Sequence, residues 1–389
     1  MVKKYGLALE GGGARGAYEA GALKLLKERG YKFNFACGTS VGSINAAMVA
    51  SDKIDEMYDL WEKLSFETIF YIDEKKLEKA LKKDVSGVKY LSSYVGNTLK
   101  EKGMDTKKLR EFLSDKIVEE DIRKSKCDFG LVTISLSDKK GKELYKDDME
   151  EGKILDYVLA SSRLPIFRQE TLNEKYYTDG GMYNNCPVDM VVEKGIKDIV
   201  VIRVGSLLST KDEKKIFRRG DLNITLIEPN HDLPSILAFD NASCKYMLKL
   251  GYFDAIKRLD GLIGAKYYIK PYDEDFSFEL IHNIDESALN YIYNLLKLKH
   301  VKDTKKIYLE VVIPMILKKI GRDNLSTYTQ VILAISEYVA EKLKINEFKV
   351  YDIKELINEI KYKIENEEDA KKRSKVDEIL YTIFKNMKV

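Results

Sequence analysis

The sequence predicts an α/β fold of three layers, α/β/α, in which helices cover both faces of a mostly parallel sheet and a helical extension follows. Strand, glycine turn and helix follow one another twice within the first fifty residues, an alternation that builds parallel sheets. The segment 198–204 is a nearly continuous β-branched run, typical of a strand buried on both faces. After about residue 273 glycine almost vanishes and Lys- and Glu-rich helical patterns take over, so we expect an α/β domain over 1–272 and a helical region over 273–389.

Hydrophobic periodicity assigns the elements in order. Apolar or β-branched runs between turn residues predict strands at 5–9, 33–37, 129–136, 143–145, 198–204, 224–227 and 267–269. Apolar residues at helical spacing predict helices at 17–29, 43–51, 54–64, 106–117, 153–162 and 242–259, and then at 290–298, 329–343 and 353–365. The charged helices between 52 and 121, with a Gly- and Ser-containing stretch at 84–103, are expected to form an insertion over the sheet.

Composition excludes several classes of protein. Lys and Arg total 66 against 63 Asp and Glu, and the net charge of +3 gives no field that would favour nucleic acid. The four cysteines are dispersed without a Cys-x-x-Cys pair, which predicts neither a disulfide framework nor a structural zinc site and favours a cytoplasmic location. The apolar run after Lys4 is too short for a signal peptide, and no later run could span a bilayer, so any membrane contact is expected to be peripheral.

Residues 38–42 read Gly-Thr-Ser-Val-Gly and match the G-x-S-x-G pattern of a nucleophile elbow. Gly38 and Gly42 lack bulk, so the chain can turn sharply from strand to helix and expose Ser40 at the apex. The helix start also directs its free N–H groups at the serine, where they would stabilise developing negative charge. The pentapeptide alone also fits a plain turn of small residues, but the predicted strand before it and helix after it supply the context that the motif demands.

A second glycine-rich segment, residues 11–16, reads Gly-Gly-Gly-Ala-Arg-Gly. Consecutive glycines at a helix start can supply the rigid backbone N–H donors that an oxyanion requires. The same letters satisfy G-x-G-x-x-G, the dinucleotide fingerprint, yet that interpretation needs a carboxylate at the end of the next strand, where Phe-Ala-Cys-Gly stands instead. A Walker phosphate loop is excluded because Ala17 follows Gly16 where a lysine is required.

Asp179-Gly180-Gly181 is the third element, and alone it fits an ordinary β-turn. Together the three segments resemble the patatin-like phospholipase family, which combines a G-G-G-x-R-G loop, a G-x-S-x-G elbow and a distant D-G-G in this order. Weaker likenesses lie at 160–167, Ala-Ser-Ser-Arg-Leu-Pro-Ile-Phe, and at Ile-Glu-Pro from residue 227. The resemblance covers about residues 5–260, implies the α/β/α fold of that family, and leaves the C-terminal third without a counterpart.

The resemblance implies a role for each matched residue. Ser40 would be the nucleophile and Asp179 its sole partner. The oxyanion loop would consist of Gly11, Gly12, Gly13 and Arg15. Such chemistry would use no histidine, metal or cofactor: burial would raise the basicity of Asp179, and a hydrogen bond to Ser40 would orient the proton transfer. Acylation of the serine and release of the acid by water would follow.

A Ser-His-acid triad with His231 is the competing arrangement, since this histidine follows the serine and an acid in the order used by α/β-hydrolases. That fold, however, reaches its nucleophile after several strands, whereas Ser40 comes much earlier in the chain. A turn histidine is the plainer interpretation of Pro-Asn-His-Asp at 229–232. His282 and His300 fall in the helical region, where we expect them at the surface.

The function implied by the resemblance is lipid acyl hydrolysis, with fatty-acyl esters of phospholipids, lysophospholipids or neutral lipids as substrates. A soluble esterase or thioesterase remains an alternative, because the sequence does not reveal the shape of the acyl pocket. A lipid-binding protein that has lost turnover is the other alternative. The presence of every catalytic element argues against it.

Overall fold

The computed structural model describes residues 4–69, 106–163, 170–205, 215–298, 303–366 and 373–389. The chain divides into two compact units, residues 1–258 and 259–389. Three predicted features lie outside the described residues, namely the stretch 84–103, the second half of the 160–167 likeness (residues 164–167), and His300.

A mixed sheet forms the centre of the first unit. Its described strands are β1 (Tyr5–Leu9), β2 (Phe33–Thr39), β3 (Asp128–Ser135), β4 (Lys140–Tyr145), β5 (Thr171–Leu172), β6 (Lys175–Asp179), β7 (Asp198–Ile202) and β8 (Asn223–Ile227). The strand order is β5-β6-β3-β2-β1-β7-β8, and β4 pairs with β3 beside this path. The neighbours from β3 to β8 are parallel, whereas β4 and β6 run antiparallel to β3.

Helices cover both faces of this sheet. They are α1 (Gly16–Glu28), α2 (Val41–Ala50), α3 (Ile54–Lys63), α4 (Phe66–Ile69), α5 (Lys107–Ser114), α6 (Glu119–Lys124), α7 (Ile154–Ser161), α8 (Val188–Glu193) and α9 (Asn241–Asp260). Ala8 of β1 packs with Val191 of α8 in one apolar core. Leu9, whose side chain points to the opposite face, contacts the backbone of α2 closely at Gly42. The predicted three-layer α/β/α fold is therefore confirmed.

The second unit is helical, as the sequence predicts. Its helices are α10 (Glu274–His282), α11 (Glu286–Leu296), α12 (Thr304–Ile307), α13 (Ile313–Lys319), α14 (Tyr328–Lys342), α15 (Ile353–Glu365) and α16 (Lys375–Asn386), with a π-helical turn at Tyr308–Val312. It has its own apolar core of Ile, Leu, Val and Tyr side chains. None of the helices in the described ranges is both long and apolar enough to cross a membrane.

A two-residue parallel ladder closes the second unit. β9 (Tyr268–Ile269) pairs with β10 (Val350–Tyr351), and Glu337 Oε1 accepts three hydrogen bonds, from the N–H groups of residues 265, 266 and 267, at 2.7, 2.8 and 2.9 Å. The strand expected at 267–269 thus exists. It pairs with a strand of the helical unit, and the structure places the boundary between the two units before it, at 258/259. That the chain consists of domains 1–272 and 273–389 remains a prediction.

Candidate active site

Ser40 occupies a strained turn between β2 and α2. Its backbone has φ 56° and ψ −129°, a conformation that costs a residue with a side chain about 1–3 kcal/mol. The glycines on either side permit this turn, because a Cβ at Gly38 would lie 2.2 Å from the carbonyl oxygen of Gly42, and one at Gly42 would lie 2.7 Å from that of Leu9. The sequence pattern therefore corresponds to a real elbow, with the serine at the start of a helix.

Hydrogen bonds hold this elbow in place. The Ser40 N–H donates to Ser161 Oγ at 3.0 Å, and that hydroxyl donates in turn to the carbonyl oxygen of Val132 at 2.7 Å. Ser43 Oγ donates to the Ser40 carbonyl oxygen at 2.6 Å. Both peptide groups of Ser40 are thus hydrogen-bonded to neighbouring residues, which restricts the direction of its side chain.

Strand pairing brings Asp179 to the same edge of the sheet. Thr39, just before the elbow, pairs with Val132 of β3, and the next β3 residue, Thr133, pairs with Asp179 at the end of β6. The Asp179 N–H donates to the Arg163 carbonyl oxygen at 2.9 Å. Two residues that are 139 positions apart in the chain are therefore separated by one strand.

The carboxyl group of Asp179 is buried, with 9% of the residue exposed. Oδ1 accepts from the Gly181 N–H at 2.8 Å, while Oδ2 has no partner at full hydrogen-bond geometry among the described residues. Burial raises the pKa of Asp179 to about 6, and the nearby Ser40 hydroxyl and Gly181 N–H oppose that rise. The hydroxyl thus lies close to the carboxylate without completing a well-formed hydrogen bond, a looseness common before substrate binds.

The glycine loop presents two backbone donors beside the serine. Gly11 is already engaged, because its N–H donates to the Asn185 carbonyl oxygen at 3.0 Å and its own carbonyl accepts from Asn185 Nδ2 at 3.1 Å. The N–H groups of Gly12 and Gly13 have no hydrogen-bond partner in the part of the chain that the structure describes. Gly13 has φ 57°, and a Cβ there would lie 2.3 Å from the Ile236 carbonyl oxygen. No larger residue would fit this loop.

Arg15 points its guanidinium at backbone carbonyls. It donates to the carbonyl oxygens of Pro234 at 2.9 Å, Val204 at 3.0 Å, and Leu233 and Gly205 at 3.4 Å. These acceptors belong to the loops that follow β7 and β8. Arg15 therefore joins the start of α1 to two loops. Its described contacts stabilise the position of the glycine loop.

Asn185 and Ser161 are site residues that sequence reasoning did not select. Asn185 links the glycine loop to the turn after Asp179, and Ser161 accepts a hydrogen bond from the backbone of Ser40. Ser161 lies in the 160–167 segment quoted for the family likeness and Asn185 follows Gly181 by four residues, but neither forms a motif by itself. Asn and Ser are ordinary loop and helix residues, so their roles become visible only from their partners.

An apolar cavity has Ser40 in its lining. Its lining comes from α2, α3 and α5 and from the segment before α9. Representative side chains are Ile44, Leu60, Trp61, Leu64, Leu113 and Phe239. A cavity with apolar walls and a serine in its lining suits a hydrocarbon chain.

The predicted histidine alternative lies in the loop between β8 and α9. His231 is two residues before Leu233, whose carbonyl accepts from Arg15. The groups that set the pKa of Asp179 are its own burial, Ser40 and Gly181. Within the described ranges, no group of three or more His, Cys, Asp or Glu side chains is arranged to hold a metal ion.

The chain is similar to several known proteins. A family model described as patatin-like phospholipase matches residues 7–192. The chain is 25% identical over 245 residues to probable lipid hydrolase 463L of Invertebrate iridescent virus 6, covering 60% of this chain and 82% of that protein. It is 27% identical over 300 residues to mouse patatin-like phospholipase domain-containing protein 6, covering 74% of this chain and 20% of that protein.

A relative in Caenorhabditis elegans, another patatin-like phospholipase domain-containing protein, is 23% identical over 303 residues. The match again covers 74% of this chain, which spans about a fifth of both animal relatives. Among solved structures, VipD from Legionella pneumophila aligns over 99% of this chain and 90% of its own, with 15% identity and a TM-score of 0.40. Because the matched range begins in β1 and ends in α8, the part of the chain that carries Ser40 and Asp179 is the part that matches the patatin-like phospholipase family.

Proposed function

We propose that this protein is a lipid acyl hydrolase that cleaves fatty-acyl esters through a Ser40–Asp179 dyad and an acyl-enzyme. The observation that carries the proposal is a serine on a strained elbow beside a buried carboxylate, in the lining of an apolar cavity. The family match and the lipid hydrolase name of the viral relative support the same class of reaction. We further propose that it acts in the cytoplasm, which is supported by its four cysteines, all buried thiols.

Acylation needs a base and an oxyanion site. A pKa of about 6 leaves Asp179 roughly nine-tenths ionised at pH 7 and raises its proton affinity by about two pKa units over an ordinary aspartate. As Ser40 Oγ attacks the ester carbon, its proton passes to the carboxylate. The carbonyl electrons move to the oxygen, which the N–H groups of Gly12 and Gly13 stabilise. Collapse then expels the alcohol, which takes the proton from Asp179.

Deacylation repeats these steps with water. Asp179 accepts a proton from the water, the oxygen attacks the acyl carbon, and Ser40 leaves with the proton. The acyl chain stays in the cavity until the free acid departs. We infer a peripheral encounter with lipid surfaces, since the substrate is itself a lipid.

A substrate panel tests the proposal. The purified chain is assayed on phospholipid vesicles, acylglycerols, acyl thioesters and p-nitrophenyl esters, and activity on the first two is expected. Ser40→Ala and Asp179→Asn should each lower turnover by several orders of magnitude, because the two groups act as one unit. Ser326→Ala and Asp147→Asn, at exposed positions, serve as matched controls. Near-normal turnover of a p-nitrophenyl ester by Ser40→Ala would contradict the assignment.

A further inference from the structure

Trp61 lies in the wall of the cavity and is fixed on two sides. Only 4% of it is exposed, and its Nε1–H donates to Asn45 Oδ1 at 3.0 Å. A Cβ at Gly16 would lie 2.6 Å from Trp61 Cζ2, so the indole rests directly on the backbone at the start of α1. This residue is the single tryptophan of the chain. Its fluorescence therefore reports on one point of the cavity.

Asn45 holds the indole through a fully engaged amide. Its Oδ1 accepts from Trp61, while its Nδ2 donates to Glu19 Oε2 at 2.8 Å and to the Gly16 carbonyl oxygen at 3.0 Å. Since its oxygen faces a donor and its nitrogen faces two acceptors, the amide has one orientation. Asn45 follows Ile44, which lines the cavity, on the helix that begins after Ser40. One helix thus presents the nucleophile and anchors the cavity wall.

Glu19 ends this chain of contacts inside the protein. Its side chain is fully buried, and Oε1 has no hydrogen-bond partner among the described residues. Burial raises the pKa of Glu19 well above its ordinary range, against the hydrogen bond from Asn45, and the carboxylate of Glu10 adds to the rise. Glu19 Oε2 is therefore the hydrogen-bond acceptor for Asn45, a part that the side-chain oxygen of glutamine can also play.

We propose that Trp61 sets the length of acyl chain that the cavity accepts, and that Asn45 and Glu19 are positioning residues that hold its indole in the wall. The proposal rests on the function proposed above. Released from Asn45, the ring can turn about its side-chain bonds and leave space that longer chains fill. Each methylene buried against the wall changes affinity by about fourfold, so small movements of the ring alter chain selectivity strongly.

Quenching of Trp61 tests contact with the chain. Ser40→Ala protein, which cannot form an acyl-enzyme, is titrated with 11-bromoundecanoate, whose terminal bromine quenches a touching indole. Saturable quenching that dodecanoate reverses is the expected result. Absence of quenching at concentrations that inhibit ester hydrolysis by the unmodified enzyme would overturn the proposal.

Chain-length profiles test the two positioning residues. The ratio of kcat/KM for p-nitrophenyl hexadecanoate to that for the octanoate is measured in each variant. Asn45→Ala and Glu19→Ala should raise this ratio by about fivefold or more, mainly through KM. The reason is that Trp61, no longer held by Asn45, leaves more space for the longer chain. Glu19→Gln should keep the original ratio, since its side-chain oxygen can still accept the hydrogen bond from Asn45. Glu337→Ala, which removes a buried carboxylate from the second unit, controls for general loss of stability and should leave the ratio unchanged.

Trp61→Phe keeps the test informative if the alanine variants do not fold. It retains an aromatic ring but lacks the N–H that Asn45 binds, so the ratio should rise as in Asn45→Ala. An unchanged ratio in Trp61→Phe would overturn the role of the hydrogen bond. Failure of the proposed function has a different signature: the unmodified chain would cleave none of the esters, or Ser40→Ala would cleave them normally.

Discussion

At the scale of single residues, desolvation of Asp179 has two opposite effects. It makes the carboxylate a better base, because the neutral acid is favoured inside the protein and the pKa rises to about 6. It also makes the ionised form costly for the folded state, since an unfolded chain would hydrate that charge. Activity and stability should therefore respond in opposite directions to the same carboxyl group.

The pH dependence of kcat/KM should have its acid limb near pH 6. The base must be ionised to accept the Ser40 proton, so activity rises with pH through the pKa of Asp179 rather than near that of an ordinary aspartate. Rates on a water-soluble ester between about pH 4 and 8 measure this. His231→Ala should keep most activity and the same limb. Complete loss of activity in a folded His231→Ala protein would favour the triad instead.

Asp179→Asn should be inactive yet more stable than the unmodified protein at neutral pH. A raised carboxyl pKa means that the folded state keeps a proton that the unfolded state releases. The associated stability is complete below about pH 4 and is lost as pH rises toward 6, a loss of about 3 kcal/mol. Denaturant unfolding of both proteins at several pH values checks this. The Asn variant should exceed the unmodified protein in free energy of unfolding by an amount that grows between pH 4 and 6. A constant difference over this range would contradict the burial argument.

Arg15→Ala should lower kcat more than it raises KM. The guanidinium ties two loops to the start of α1, and one of those loops also accepts the Ala14 N–H at the Ile236 carbonyl, so the glycine donors lose their support. Arg15→Lys should not restore activity, because a single ammonium group cannot donate to the carbonyl oxygens of both loops as the planar guanidinium does. Steady-state kinetics and thermal unfolding distinguish the roles: a lower melting temperature with unchanged kcat would mean that Arg15 serves stability alone.

At the scale of secondary structure, much of the fold could be predicted from the sequence. Local periodicity predicts the ends of β1, α1, β2 and α2 to within a few residues, because each of these elements has apolar residues spaced so that they are buried together. Pairing across the sheet has no comparable local signal. Nothing near Asp179 indicates that β6 runs antiparallel beside β3, although that pairing brings the carboxyl group to Ser40.

The residues of the candidate site likewise fall into those that the sequence predicts and those that it does not. Ser40, the glycine loop and Asp179 could be selected because their chemistry demands particular residue types in fixed patterns. Asn185, Ser161 and Asn45 could not, because each acts through partners distant in sequence. The strand at 268–269 was expected in the first domain for a related reason: two apolar residues predict a strand but not its partner.

At the scale of the whole molecule, each unit has an apolar core of its own. The proposed catalytic groups all precede residue 182, and α9 of the first unit ends at Asp260. A cut after residue 260 therefore leaves the proposed site and its supporting loops complete. A cut after residue 275 adds β9 without β10.

Fragment 1–260 should hydrolyse a short-chain soluble ester as fast as the full chain. Fragment 1–275 should also be active but should aggregate more, because it exposes the edge of β9 that pairs with β10 in the full chain. Initial rates and light scattering on matched samples compare them. A folded fragment 1–260 without activity would show that the second unit completes the site. Loss on vesicles alone would assign lipid docking to that unit.

The ladder between β9 and β10 also bears on synthesis by the ribosome. The partner of β9 is made about eighty residues later, and Glu337, which binds the adjacent N–H groups, about seventy later. At a typical elongation rate of about 5–20 residues per second, β9 waits roughly 4 to 16 seconds for its partner. During that interval its edge is open to other nascent chains. Codons that slow translation between residues 270 and 350 should therefore lower the yield of native protein without changing a single amino acid.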